Sequence, residues 1–212
     1  MTDVLLKAFN QTLIMVFFST VFSVLLGGIL AIILVMTGPK GIKENKGLFK
    51  ILDGIINILR SFPFIILMVA IIPLTRAIMG GKSTGTAAAI VPLTIAAAPF
   101  VARIIEAALK EVDNGVIEAA KSFGASDFQI IFKVMFKEAV PSIISGLTLA
   151  IINIIGYSAM AGSIGAGGLG DLAIRYGYQR YQTDVMIVTV IVLIIIVQLL
   201  QGLGDYFYKK LS

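Results

Sequence analysis

Two stretches of this chain, residues 13–36 and 185–203, run for about twenty residues each without one charged side chain. A helix rises about 1.5 Å per residue and a bilayer's hydrocarbon layer is about 30 Å thick, so each stretch is long enough to cross a membrane. The blocks are too long for barrel strands and do not alternate polar with apolar, which excludes a β-barrel. The rest of the chain agrees. It is 58% hydrophobic and 14% charged, with mean hydropathy +0.99, where a soluble domain carries about 25% charged residues. The expectation is an all-α polytopic membrane protein with little room for a separate soluble domain.

Five transmembrane helices are expected, at about 13–36, 58–76, 87–109, 140–160 and 185–203, within one transmembrane domain at 13–203. Residues 1–12 read as an external lead, 110–139 as a polar loop and 204–212 as a tail. The first block is too long for a signal-peptide core and lacks a small-residue cleavage site, so it is expected to be retained. Gly27 and Gly28 are expected close-packing points in the first span. The second span is uneven: 51–59 suits a short interfacial helix, and Arg60-Ser61-Phe62-Pro63 suits a restart with proline in a first turn. Pro92 and Pro99 predict kinks in the third span.

Charge distribution orients the chain. With the N-terminus outside, the cytoplasmic side receives Lys40, Lys43, Lys46, Lys50, Arg60, Arg103, Lys110, Lys121, Lys133, Lys137, Lys209 and Lys210. The outside receives only Lys7, Arg76, Lys82, Arg175 and Arg180. This excess of cytoplasmic cations favours N-out and C-in, and it accounts for the +5 charge without nucleic acid as partner. The chain has no cysteine and no histidine, which excludes disulfides, thiolate chemistry, histidine proton relays and His-based metal sites or triads.

Residues 113–141 are the least membrane-like stretch, yet they are ordered by local signals. Asp113 or Asn114 can cap a helix at about 116–123, and Gly124 suits the position after its end. Ser126 with Gln129 forms a capping box for a second helix. Along that helix Phe128, Ile131, Phe132, Met135 and Ala139 predict one apolar face, and Pro141 marks the approach to the fourth span. On the residues alone, two interfacial connecting helices and a docking element for a soluble partner both remain open.

Two motif matches fail on context. Gly81-Lys82-Ser83 resembles the end of a phosphate-binding loop, but Arg76 stands where the pattern needs glycine. Gly165-Ala166-Gly167-Gly168-Leu169-Gly170 matches G-x-G-x-x-G without a preceding strand, so a dinucleotide site is excluded. It predicts instead a turning or flexible segment, serving either packing or gating.

Glu118-Ala119-Ala120, Gly124 and a closing Pro141 resemble the EAA loop of ABC importer permeases, E-A-A-x-x-x-G-x(9)-I-x-L-P. The chain ends the segment Glu138-Ala139-Val140-Pro141, so the isoleucine and leucine are not reproduced. Arg60-Ser61-Phe62-Pro63-Phe64-Ile65-Ile66-Leu67, Ala89-Ile90-Val91-Pro92-Leu93-Thr94, Ala97-Ala98-Pro99-Phe100-Val101-Ala102-Arg103, Gly156-Tyr157-Ser158-Ala159-Met160, the glycine run and Tyr176-Gly177-Tyr178 together resemble methionine importer permeases. The resemblance implies a type I ABC importer transmembrane fold in a bacterial inner membrane, with a cytoplasmic coupling helix. It implies two copies of this chain, two copies of a separate ATPase that binds ATP and Mg, and an extracytoplasmic methionine-binding protein or lipoprotein. No cofactor and no catalytic residue are expected in this chain, which carries no nucleotide-binding motif.

The implied ATPase contacts are Val116, Ile117, Glu118, Ala119, Ala120, Phe123 and Gly124. Small Ala119 and Ala120 permit close approach, Gly124 a sharp exit, and Glu118 a cap or a basic partner. Among the few polar residues of the fourth span (Ser145, Thr148, Asn153, Tyr157, Ser158), most suit cross-helix hydrogen bonds, at about 1 kcal/mol each. Asn153, Tyr157, Ser158 and Met160 are the pathway candidates, and the resemblance makes Met160 a constriction, a role its flexible thioether suits. Glu106 is an expected partner for Arg60. Permeation of another amino acid or a methionine derivative, or ATP-independent secondary transport, remains as an alternative, though the spans hold almost no Asp or Glu for ion coupling.

Overall fold

The computed structural model describes residues 2–39 and 41–211, all helix and connecting turns without a strand; Lys40, counted above among the cytoplasmic cations, lies outside them. The order is α1 (Thr2–Thr37), α2 (Lys46–Ser61), α3 (Phe64–Ala70), α4 (Ile72–Ile78), α5 (Thr86–Lys110), α6 (Asn114–Ser122), α7 (Asp127–Gln129), a π-helical segment (Ile130–Met135), α8 (Phe136–Gly162), α9 (Gly168–Leu172), a second π-helical segment (Ala173–Tyr178) and α10 (Thr183–Leu211). Four helices are long and apolar enough to cross a membrane, and the bent α2–α3 pair supplies a fifth candidate.

α5 is the central helix, packed along α1 on one side and α8 on another. α1 offers it a stripe of small residues at four-residue spacing, Ser19, Ser23, Gly27 and Ala31, all buried. The two helices run parallel: Met15 clusters with Leu93, and Val35 with Leu109. Their closest approach requires Gly27, where a Cβ would stand 2.7 Å from the Ala98 carbonyl oxygen and 2.9 Å from the Ala102 nitrogen. Gly28 meets only Ile105 Cδ1 at 3.9 Å, so one glycine of the expected pair sets the spacing. α8 then packs antiparallel to α10, with Ile154 and Ile155 against Ile196 and Leu200.

Several boundaries differ from expectation. Residues 2–12 of the lead and 204–211 of the tail are helical, forming the first turns of α1 and the last of α10. The stretch 58–76 is not one straight span: α2 and α3 meet at 107°. Phe62 (ψ 127°) and Pro63 (ψ 129°) are extended, as the residue before a proline prefers. Ile71 interrupts the path again before α4, which carries a proline in its first turn. In the opposite sense, the second loop helix and the fourth span are a single helical rod, Asp127–Gly162, that passes through Pro141. Membrane helices tolerate such a proline where neighbours re-satisfy the freed carbonyl. α5 likewise stays one helix through Pro92 and Pro99.

The glycine run is a packing device. Gly168 N–H donates to Gln11 Oε1 (3.0 Å) and Leu169 N–H to Thr12 Oγ1 (2.8 Å), pinning α9 to the start of α1. Gly168 has φ +85°, and at Gly170 a Cβ would lie 2.2 Å from the Ala159 carbonyl oxygen. Gly81-Lys82-Ser83 closes a turn in which Arg76 Nε donates to Ser83 Oγ (3.3 Å).

Candidate functional site

At the end of the bundle where α5 stops, local capping builds a projecting helix. Asp113 Oδ1 accepts from the Gly115 N–H (2.7 Å) and starts α6. Gly124, at φ +77°, turns the chain out after Phe123, and the Gly124 and Ala125 N–H groups close on the carbonyls of Lys121 and Ala120. The Ser126–Gln129 capping box is present in both directions. Ile117, Ala120 and Ala125 turn inward onto a core that includes Leu109, Ile130 and Met135. Val116, Glu118, Ala119 and Gly124 are exposed, and Phe123 is 91% exposed. The seven residues expected to meet an ATPase therefore divide, with Ile117 and Ala120 packed inward and the other five outward. Glu118 makes no ion pair among the described residues.

The apolar face expected beyond Ser126 also divides. Ile131, Met135 and Ala139 are buried, whereas Phe128 and Phe132 are exposed and stack in a ladder with Phe136, at centroid distances of 4.5 and 5.6 Å. The cause is the π segment, whose i→i+5 hydrogen bonding widens the turn and shifts which side chains share a face. Counted from Gly124, the EAA pattern's closing isoleucine, leucine and proline fall on Val134, Phe136 and Lys137. Pro141 is therefore not the motif's proline, and the rod meets no proline at that point.

A charged cluster ties α2 to α5. Arg103 donates to Asp53 Oδ1, to Asn57 Oδ1 (3.0 Å) and to Glu106 Oε2 (2.7 Å). Lys110 Nζ donates to Glu106 Oε1 (2.6 Å), and the Glu106 side chain is only 4% exposed. Glu106 thus pairs with Arg103 and Lys110 on its own helix and not with Arg60, which sits on α2 outside the cluster. Two cations and two carboxylates balance, and the one buried member, Glu106, is paired twice, as a buried charge requires. The sequence reading missed Asp53, Asn57 and Arg103. The available signal was Asp53 and Asn57 one turn apart on a helix otherwise covered by Leu48, Ile51, Ile55 and Ile58.

The pathway candidates lie on α8 and are not all together. Ser145, Leu149, Asn153, Gly156 and Met160 form one exposed stripe at three- and four-residue spacing, with Met160 46% exposed. Tyr157 turns aside and stacks on Phe64 of α3 (4.7 Å, 11° between rings). Ser158 is 1% exposed and donates to the Ile155 carbonyl (2.7 Å), so it is a packing residue and does not join the stripe. Thr148 is likewise turned inward, donating to Ile144 O (2.9 Å). Exposed faces elsewhere are mainly aliphatic or aromatic, with Phe17, Phe22 and Leu25 on α1 and Ile187, Ile191 and Ile195 on α10, although α10 also exposes Gln198 and Gly202. The α8 stripe puts an amide, a hydroxyl and a glycine together on one open surface at membrane depth. Among the described residues no group of three His, Cys, Asp or Glu stands ready to hold a metal.

Residues 24–212 match the model of the binding-protein-dependent transport system inner membrane component family. The chain belongs to this family. Relatives in it include the probable D-methionine transport system permease protein of Vibrio cholerae, 50% identical over 211 residues, which cover 100% of this chain and 93% of that protein. The methionine import system permease protein of Bacillus subtilis is 44% identical over 173 residues, 82% of this chain and 78% of that protein. Among solved structures, an inward-facing MetNI methionine ABC transporter superposes with TM-score 0.97 at 43% identity, over 100% of this chain and 98% of that one. As a member of this family the chain is a multi-pass inner-membrane transport component, and its fold is that of a type I ABC importer permease.

Proposed function

We propose that this chain is the permease subunit of an ATP-driven importer of methionine, in its L and D forms. Two copies form the translocation pathway, two separate ATPase subunits bind and hydrolyse ATP with Mg, and an extracytoplasmic binding protein delivers the amino acid. The observation that carries this reading is the α8 stripe on a chain similar along its whole length to methionine permeases. A face bearing Asn153, Ser145 and Gly156 is unsuited to lipid and suited to a second copy and a water-filled path. Met160 constricts that path; its exposure at the end of the stripe, beside α9, supports this role.

The chain runs N-out and C-in. In support, the end bearing α6 collects Lys43, Lys46, Lys110, Lys121, Lys133, Lys137, Lys209 and Lys210, and the opposite end holds Lys7, Arg76, Lys82, Arg175 and Arg180. α6 is then cytoplasmic and docks in a groove of the ATPase through Val116, Ala119 and Phe123, an apolar edge at helical spacing with Glu118 beside it. The test is labelled-methionine uptake by vesicles containing this chain, its ATPase and its binding protein. Uptake that requires ATP inside the vesicles and survives collapse of ion gradients is the expected result; uptake driven by an ion gradient without ATP would overturn it.

A further inference from the structure

α6 and Met160 lie at opposite ends of the bundle, and α8 is not the only route between them. α5 ends at Lys110, four residues before α6 begins, so displacement of α6 acts on α5 first. Arg103, about two turns back along α5, holds Asp53 and Asn57 of α2. α2 continues through the extended Phe62–Pro63 elbow into α3, whose first residue, Phe64, is stacked on Tyr157. Tyr157 lies one turn from Met160 on α8.

We infer that Arg103 is a positioning residue that makes the α2–α3 elbow move with α5, carrying displacement of α6 to Phe64, Tyr157 and Met160. The inference rests on the proposed importer reading. Two features support a directional part for this cluster. A guanidinium holding a carboxylate and an amide on a second helix fixes the register between the helices, which apolar packing alone does not. The Arg103–Asp53 contact is partly exposed, and ion pairs open to water add little to stability, so stability alone does not account for it. The apolar contact of Ile56 with Leu34 and Ala102 already holds α2 in place without it. Arg60 stays outside the cluster, so Arg103 is the guanidinium through which α5 grips α2.

The experiment compares methionine transported per ATP hydrolysed in vesicles holding the whole importer. Wild-type uptake in the same preparation tests the importer reading separately. Asp53→Asn removes the charge, Asp53→Glu retains it, and Asp53→Leu with Arg103→Met replaces the clamp by apolar packing while Lys110 still pairs Glu106. The expected result is assembled complexes whose transport per ATP falls about five-fold or more in Asp53→Asn and the double variant, with recovery in Asp53→Glu. A wild-type ratio in either charge-removing variant would overturn the inference. Loss of assembly in both would overturn it as well, because the cluster would then be a requirement for folding.

Discussion

Three glycines separate backbone strain, steric conflict and open space, and each has its own consequence. At Gly170 an added Cβ would meet backbone, the Ala159 carbonyl oxygen at 2.2 Å, which cannot swing away. Gly170→Ala should destabilise the fold by about 1–3 kcal/mol, read as a lower thermal midpoint of the purified protein in detergent. Gly156 is exposed on the α8 stripe with nothing within 4 Å of an added Cβ. Gly156→Ala should leave stability unchanged or raise it by up to about 1 kcal/mol, because alanine is the better helix former. Any loss of uptake in that variant then belongs to the pathway. Gly124 also has open space, but its φ of +77° costs a side chain about 1–2 kcal/mol. Gly124→Ala, and more so Gly124→Pro, should uncouple hydrolysis from uptake with little effect on the bundle, measured as transport per ATP. The sequence left packing and gating open for the glycine run because its contacts, Gln11 and Thr12, lie 157 residues away in the chain. Spacing within the run carries no trace of them.

At the scale of elements, what is encoded within a few residues was legible and what depends on distant neighbours was not. The caps at Asp113, Ser126–Gln129 and Gly124 were read correctly because each is a local hydrogen-bonding pattern. The rod through Pro141 was read as two pieces, since a proline in a sequence pattern signals a boundary and only packed neighbours make it tolerable. The π segment was invisible for a similar reason, and with it the division of the phenylalanines from the buried face. The clamp between α2 and α5 joins residues 50 apart and was missed entirely. α6 itself yields a direct prediction. Phe123, the residue that caps its end, is 91% exposed, and an aromatic group that would be fully desolvated in a docking groove contributes about 2 kcal/mol or more to such an interface. Phe123→Ala should weaken association with the ATPase about thirty-fold, measured by titrating the purified ATPase against the permease in detergent. Ile117→Ala should act differently, lowering stability of the loop core, because Ile117 packs against the cluster around Leu109 and Met135.

For the whole molecule, the decisive pattern is the contrast among its outer faces. The hydropathy that revealed the spans cannot tell a lipid-facing surface from one facing a second copy or water, because both occur on apolar helices. Position in the bundle separates them: Phe17 and Leu25 on α1 and Ile191 and Ile195 on α10 expose hydrocarbon, with Gln198 the polar exception on α10, whereas α8 lines up Asn153, Ser145 and Gly156 along one stripe. An amide at membrane depth is costly against lipid tails and finds partners in a hydrated path. The absence of cysteine from the chain makes this contrast directly measurable. In the assembled importer, Asn153→Cys should react with a charged, water-soluble thiol reagent, and Ile195→Cys should not, because a thiol must ionise in water to react and none reaches it in hydrocarbon. If Met160 constricts the path, adding the binding protein and ATP should change the rate at Asn153→Cys. Met160→Ala should raise both basal leak and the rate measured without ATP. Equal reactivity at the two cysteine positions would mean that the α8 stripe is not a water-facing surface, and Met160 would then have no path to constrict.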